Sequence, residues 1–464
     1  RIVCLLFSYC SASCAIWGSR CFTQRERRDT PVDGGSDCVY ASCQSRARLR
    51  KFRDAPPDIS SPCRQSVRDH CMTRVQINPA LLRWAVERAS GKERLQERFP
   101  KLSEWLEGKS QPTLRQLEAF SRATSTPFGF LFLERPPEEE LSVPFFRTLT
   151  NETVQRPSAE LIEVVQTMER RQAWMREYLI KNEHDPLPFV RSASLQSEPE
   201  QIAREMRRVL KLSDDWSSSL PDWTAALRRL QDMADDSGII VVANSVVGNN
   251  RHRPLDPNEF RGFVLVDEYA PLVFINSADI KAAQMFTLAH ELAHIWLGRS
   301  SVFDLRNLQP APDRTEIVCS QSAAEFLIPA TRLQQIWRSA SRSEDPFQYL
   351  ARYFKVSEIV FARRLLDLEL IDQQDFLSFY QSYQEYKYQI SGKDEGGGNF
   401  YAIQSMRLGK RFAETVAHAV ISGDLLYYEA YELTGIYGKT FDRLVDYILR
   451  KEEGQNIQEI YDQE

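Results

Sequence analysis

Long hydrophobic runs are missing from this 464-residue sequence, which has no stretch of about 18 apolar residues free of charge. That excludes an integral helical membrane protein. A composition of 42% hydrophobic and 27% charged residues, with only 19 glycines, likewise excludes collagen and a coiled-coil rod. A strong charge of one sign is absent too, because 59 Lys and Arg face 64 Asp and Glu for a net of −5. Methionine is absent before Met72, and Lys51 is the one lysine among the 12 basic residues of that stretch. Cysteine is nearly absent after it: of the nine, only Cys319 follows Cys71.

These gaps divide the chain. The stretch up to residue 71 carries Cys4, Cys10, Cys14, Cys21, Cys38, Cys43, Cys63 and Cys71 and shows no sustained periodicity. A stapled secreted domain and a signal peptide over Ile2 to Trp17 are two readings of it. The favoured one is upstream sequence translated in frame or left disordered, with synthesis beginning at Met72. From Met72 on, the net charge is −10, split into +4 for Met72 to Arg135 and −14 beyond. A small basic module thus precedes a long acidic body. One free cysteine in that body fits a reducing compartment, so a cytoplasmic location is expected.

The basic module reads as short helices. Leu81, Leu82, Ala85 and Val86 recur at helical spacing, and Phe99-Pro100 breaks the pattern. Leu102, Trp105 and Leu106 start a second helix that ends at Glu107-Gly108-Lys109. Pro112-Thr113 then opens a third with Leu114, Leu117 and Phe120 on one face. The stretch LSEWLEGKSQPTLRQLEAFSRATSTPFGFLFL resembles repressor-type (XRE-like) helix-turn-helix domains, so residues 72–137 are expected to form such a domain and to contact DNA. Ala89 to Pro100 is less regular than that family's second helix. A helical bundle that binds protein is the alternative.

The acidic body opens as scaffold. Pro136 to Glu140 punctuates the chain, Pro144 to Leu149 reads as a linker, and residues 138–236 read as helices. Among them are a long one with Leu161, Val164, Val165, Met168, Trp174, Tyr178 and Leu179 on its stripe, then Gln201 to Leu212 and Trp223 to Ala234. At Gly238 the texture becomes β-branched. Ile239 to Ala243, Gly262 to Val266 and Leu272 to Ile275 read as strands, the last two joined as a hairpin.

The next helix, Asp279 to Leu297, contains His290-Glu291-Leu292-Ala293-His294. Histidines at i and i+4 lie on one helix face, so both imidazoles can reach one metal ion, while Glu291 sits on the neighbouring edge as a base. The helix is apolar nearly all round, and three buried polar groups in it would be costly without partners. A catalytic zinc site needs a third protein ligand and an open position. Ser300 stands where a metzincin would have its third histidine, and the only later histidine is His418. The ligand should therefore be a carboxylate: Asp304, Asp313 or Glu316. Glu316 opens a further helical pattern ending at Ile328-Pro329. Two imidazoles and one carboxylate favour zinc, with manganese or another divalent ion as alternatives. Tyr269 and His252 are weak candidates for stabilising an oxyanion.

QMFTLAHELAH followed by TEIVCSQSAAEFLIP resembles the ImmA/IrrE family of metallopeptidases. The resemblance implies that His290, His294 and Glu316 bind the metal and that Glu291 is the catalytic base. It also implies a peptidase that cleaves a transcriptional repressor, here joined to a DNA-binding domain. Ser320 departs from the family pattern, which has Asn at that position. RGFVLVDEYAPLVFIN resembles the family's strand–turn–strand lead-in, and an exposed strand there could pair with an extended peptide substrate.

The expected fold class is α+β, mostly helical, with a zincin-like core at 237–345, a helical extension at 346–390 and a small separate C-terminal module at 391–464. Leu350 to Ile371 has the spacing of a second helix-turn-helix-like pair, with a lid or scaffold as the preferred reading. Gly396 to Gly398 lacks the residues of a phosphate loop and reads as a linker. The rival function is a transcriptional regulator or antitoxin-like protein whose metal site is structural or sensory.

Overall fold

The computed structural model describes residues 74–89, 92–138, 157–303, 313–341, 345–387 and 399–452. The expectations for residues 1–71, for Pro144 to Leu149, for Asp304 and for Gly396 to Gly398 lie outside the described residues.

The first helices are α1 (Pro79–Arg88), α2 (Lys92–Arg98), α3 (Leu102–Leu106) and α4 (Leu114–Ala123), followed by a 3-10 turn, Phe128–Phe132. Asn78 starts α1 by accepting from the Ala80 amide, with Pro79 at the position where a missing N–H costs nothing. Thr113 and Gln116 close a capping box on α4. Sequence periodicity leaves Ala89 to Pro100 irregular, yet α2 forms there. Tertiary packing supplies the reason. Leu95 is buried, and Phe99 closes the segment against Trp105 at 5.9 Å and Phe120 at 5.7 Å between ring centroids.

The body continues with α5 (Ala159–Lys181), α6 (Pro199–Val209) and α7 (Trp223–Asp236), then β1 (Ile240–Asn244), β2 (Val246–Val247), β3 (Asn250–Pro254), β4 (Gly262–Leu265), β5 (Leu272–Asn276), α8 (Lys281–Leu297) and β6 (Ser301–Phe303). Helices complete it: α9 (Arg314–Leu327), α10 (Ala330–Ala340), α11 (Pro346–Phe354), α12 (Glu358–Asp367), α13 (Gln373–Lys387), α14 (Phe400–Leu408), α15 (Lys410–Ser422), α16 (Tyr427–Thr434) and α17 (Lys439–Glu452). The fold is α+β, mostly helical with a small mixed sheet. No helix among the described residues is long and apolar enough to cross a membrane.

The four-stranded sheet has the order β1-β5-β4-β6, and β2 pairs with β3 separately. β1 runs parallel to β5, while β4 is antiparallel to both β5 and β6. Every residue of β1, β4 and β5 is buried, so alternating side chains feed two cores. Val241, Ala243, Val264, Val273 and Ile275 face α6 to α9 and α10 to α12. Ile240, Val242, Phe263, Leu265, Leu272 and Phe274 face α5 and α14 to α17.

Two expectations change here. The β4–β5 hairpin forms, but neither strand is exposed: β5 lies between β1 and β4, and β4 between β5 and β6. Both strands spend their backbone hydrogen bonds inside the sheet and cannot pair with a peptide. Residues 399–452 do not stand apart either. Leu408, Phe412, Val416 and Ala417 share one core with the sheet and with Leu161, Val165 and Met168 of α5. Helix α5 also holds the hairpin turn, where Gln172 Nε2 donates to the carbonyls of Leu265 at 2.7 Å and Ala270 at 2.9 Å, and Arg176 pairs with Asp267 at 2.9 Å.

Candidate metal centre

Helix α8 is buried without interruption from Gln284 to Leu297. It lies between the sheet and helices α6, α7 and α9, which explains an apolar composition on every side. Gly298 ends it at φ 70°, a left-handed conformation that glycine adopts at no steric cost, and a Cβ there would collide with Arg191. The loop after α5 covers this end, with Arg191 and Ala193 amides donating to the Ile295 and Trp296 carbonyls and Phe189 stacked on Trp296 at 4.8 Å.

Helix α9 packs along α8 and carries the third group. Glu316 stands in its first turn, and Asp313 is its N-cap, accepting from the Thr315 amide at 2.6 Å. Asp313 is thus occupied by the helix end and stays out of the cluster, while Glu316 faces both histidines. His290 Nε2 is 3.0 Å from Glu316 Oε2, His294 Nε2 is 3.2 Å from Glu316 Oε1, and the two imidazole Nε2 atoms are 3.1 Å apart. One ligand atom from each of His290, His294 and Glu316 lies within 4.8 Å of the others, and all three residues are buried.

The donor set fits a divalent metal. Ligand bonds of ~2.0–2.1 Å in a tetrahedron hold the ligand atoms about 3.3 Å apart, close to the observed spacings. Glu291 is fully buried beside the cluster, and neither carboxylate oxygen has a hydrogen-bond partner among the described residues. Such orphaned oxygens are costly in a packed core unless a cation and a water complete the site.

Electrostatics agree with that reading. Burial pulls the His290 imidazole down to about 4, against the opposing pull of Glu316, so it is the neutral form that metals bind. Burial, and after it the Glu316 charge, push the Glu291 carboxyl well above the carboxylate range. Burial would raise Glu316 as well, yet hydrogen bonds from His290 and His294 hold it far below its ordinary value.

Around these groups the structure adds contacts that motif reading did not single out. Ser301 Oγ, fully buried in β6, lies 3.1 Å from His294 Nε2. Ser320, where the resembling family has Asn, places its Oγ 3.3 Å from His290 Nδ1. With a metal in place of the Glu316 hydrogen bond at Nε2, the single ring proton would sit on Nδ1 and be donated to that hydroxyl, so serine can fix the ligating tautomer. Gly262 of β4 passes so close that an added Cβ would meet Thr287 Cγ2 at 2.7 Å, the Phe274 carbonyl at 2.9 Å and Glu291 Oε1 at 3.4 Å. Ser301 follows His294 by seven residues and had a signal only in its proximity to the motif. Gly262 had none.

Other candidates are placed elsewhere. Tyr269 lies in the β4–β5 turn under the Arg176 guanidinium, 5.5 Å from its ring centre, on the side of the second core. His252 is exposed on β3. Neither is an oxyanion donor for this cluster. His418 pairs with Glu452 at 2.9 Å across α15 and α17. The α11–α12 pair turns at Lys355 and buries Leu350, Phe354, Val356, Phe361 and Leu365 in the first core, which makes it scaffold.

No curated protein matches the chain. Residues 408–447 match a domain of unknown function, DUF8813. Residues 234–366, the segment that builds the whole cluster, match the IrrE N-terminal-like domain, Peptidase_M78, so the buried histidines and glutamate lie within a segment similar to that peptidase domain.

Proposed function

We propose that this protein is a zinc-dependent endopeptidase whose substrate is a repressor-type protein, and that residues 72–137 act as an XRE-like helix-turn-helix domain on DNA. The observation that supports it most is the convergence of His290, His294 and Glu316 beside a buried Glu291 with unpartnered oxygens. In this reading the three converging residues hold the metal, and zinc suits their chemistry, although manganese is compatible.

When bound, the ion supplies Lewis acidity: it polarises the scissile carbonyl and lowers the pKa of a water towards ~7. The other roles fall to the chain. His290 stays neutral and oriented through Ser320. Glu291 takes the proton from the attacking water and returns it to the leaving amine. Its raised pKa reflects burial and the Glu316 charge, both of which a nearby divalent cation offsets. In this reading α2 and α3 form the helix pair for DNA, with the Glu107-Gly108-Lys109 turn ending the recognition helix, in a stretch of net charge +4.

Complete burial of His290, Glu291 and His294 favours a second reading, a regulator whose metal is structural or sensory. One experiment separates the two. The protein purified without chelator should hold about one zinc per chain and cleave a co-expressed repressor; Glu291→Gln should keep the zinc and lose at least ~100-fold in cleavage. Zinc retention with no cleavage by the parent would leave the structural reading standing. DNA affinity that is negligible at both low and moderate salt would remove the DNA-binding half.

A further inference from the structure

A second polar site lies on the opposite face of the sheet from the metal cluster. A cavity of about 60 Å³ opens between α5, α14, α16 and the β2–β3 turn, lined among others by Glu163, Arg171, Asn244, Gln404, Arg407 and Thr434. Its volume exceeds that of a single water site and suits a small ion.

Its charge is unbalanced. Arg171 is only 6% exposed, and its Nε and Nη1 donate to the carbonyls of Leu433 at 3.0 Å and Arg407 at 3.3 Å. These partners are neutral, and among the described residues no carboxylate pairs with it. Arg407 donates to Asn249 Oδ1 at 3.4 Å and likewise pairs with no described carboxylate. The acidic group on the wall, Glu163, is bound to Arg253 at 2.6 Å, as is Glu160 at 3.3 Å. Burial draws the Arg171 guanidinium down to about 10, and burial with nearby Arg251 lowers that of Arg407. A buried cation with no counter-charge is expensive.

An unpaired amide faces the same space. Gln404 is 3% exposed, and its Oε1 has no partner among the described residues. Rotation of that amide exchanges the acceptor for two donors. Asn244 and Thr434 bond the carbonyls of Gly248 and Ala430, whereas each guanidinium has more N–H groups than the bonds named above, and the two carry the only positive charges among the described lining residues.

We propose that this cavity binds one small tetrahedral oxyanion of phosphate size, held by Arg171 and Arg407 with Gln404 as a third donor. The remaining guanidinium N–H groups supply the charge-assisted hydrogen bonds that such a group takes. The site is built jointly by the strands beneath the metal helix and by the C-terminal helices, and the inference stands whether or not the chain cleaves protein.

The test uses the metal-free full-length chain, so that phosphate cannot bind a metal. Inorganic phosphate, and acetate as a carboxylate control, are titrated by calorimetry, and the unfolding midpoint is followed up to about 20 mM. One phosphate should bind per chain, raise the midpoint, and bind at least ~10-fold tighter than acetate. Arg407→Gln and Arg171→Met should each weaken phosphate at least ~10-fold. If Arg171→Met fails to fold because its two carbonyl contacts are lost, Arg407→Gln alone decides. No saturable binding in the parent, equal affinity for acetate, or phosphate affinity unchanged by Arg407→Gln would overturn the proposal.

Discussion

His290 Nε2 and Glu316 Oε2 lie 3.0 Å apart across the α8–α9 interface, although 26 residues separate them in the chain. Two helices must pack in one register for this contact to exist. The small side chains of Cys319 and Ser320 on α9 permit that approach, and Cys319 is fully buried at the junction.

The two acidic residues at the start of α9 should separate cleanly. If the proposed metal centre is right, Glu316→Ala removes one of its three converging groups and should abolish metal retention. Asp313→Ala removes only the N-cap of α9 and should cost about 1 kcal/mol of stability with the metal kept. Metal content measured beside denaturant unfolding reads both effects. Equal metal loss in the two variants would contradict the assignment.

Gly262→Ala should disturb the site without touching a ligand. The new methyl would press on the Phe274 carbonyl, which cannot move without displacing β5, and on Thr287 and Glu291. A loss of about 1–3 kcal/mol is expected from such overpacking, together with a loss of whatever cleavage the proposed function gives. A thermal melt and a cleavage assay on the same preparation check it.

A buried ion pair joins α9 to α12. Glu325 and Arg364 are hydrogen-bonded with both side chains under 9% exposed, and Arg207 of α6 donates to the Glu325 and Phe326 carbonyls at 2.8 and 3.1 Å. Glu325→Ala strands a buried guanidinium and should cost about 3–5 kcal/mol, whereas the double change Glu325→Leu with Arg364→Met should cost far less. Urea unfolding of the three proteins gives the comparison.

Asp235 supplies a pH signature. Burial at the end of α7 raises its carboxyl to about 8, despite a hydrogen bond from the Val241 amide. The folded chain then holds a proton that the unfolded chain gives up near pH 4. Stability from this group is complete below that value, falls by at most about 1.4 kcal/mol per pH unit as pH rises, and levels off above about 8. Asp235→Asn should flatten that slope, which unfolding midpoints measured across pH 4 to 9 will show.

How much of this was legible beforehand depended on the range of the interactions. The spacing of His290 and His294 is a property of one helix, and any reading of the sequence finds it. The strands around Val241, Val264 and Val273 announce themselves through β-branched runs. Helix α2 is only weakly legible, since Ala89 to Pro100 is irregular as a pattern and the segment is held by Phe99 packing on Trp105 and Phe120. The hairpin's place inside the sheet was missed for a similar reason: β6 is three residues long, and its pairing with β4 is non-local. Choosing Glu316 over Asp313 on the residues alone was impossible, since both stand at the start of one helix and only its orientation divides cap from ligand.

The two-faced sheet has a practical consequence for anyone cutting the protein into pieces. The peptidase-like segment ends before α14 and begins after α5, so an excised 234–366 fragment would lose the cover of one side. Ile240, Val242, Phe263, Leu265, Leu272 and Phe274 would then face water as a continuous greasy panel. Such a panel makes a fragment self-associate. The folding unit is longer than the segment that matches the family, because one face of its sheet is covered by α5 and α14 to α17.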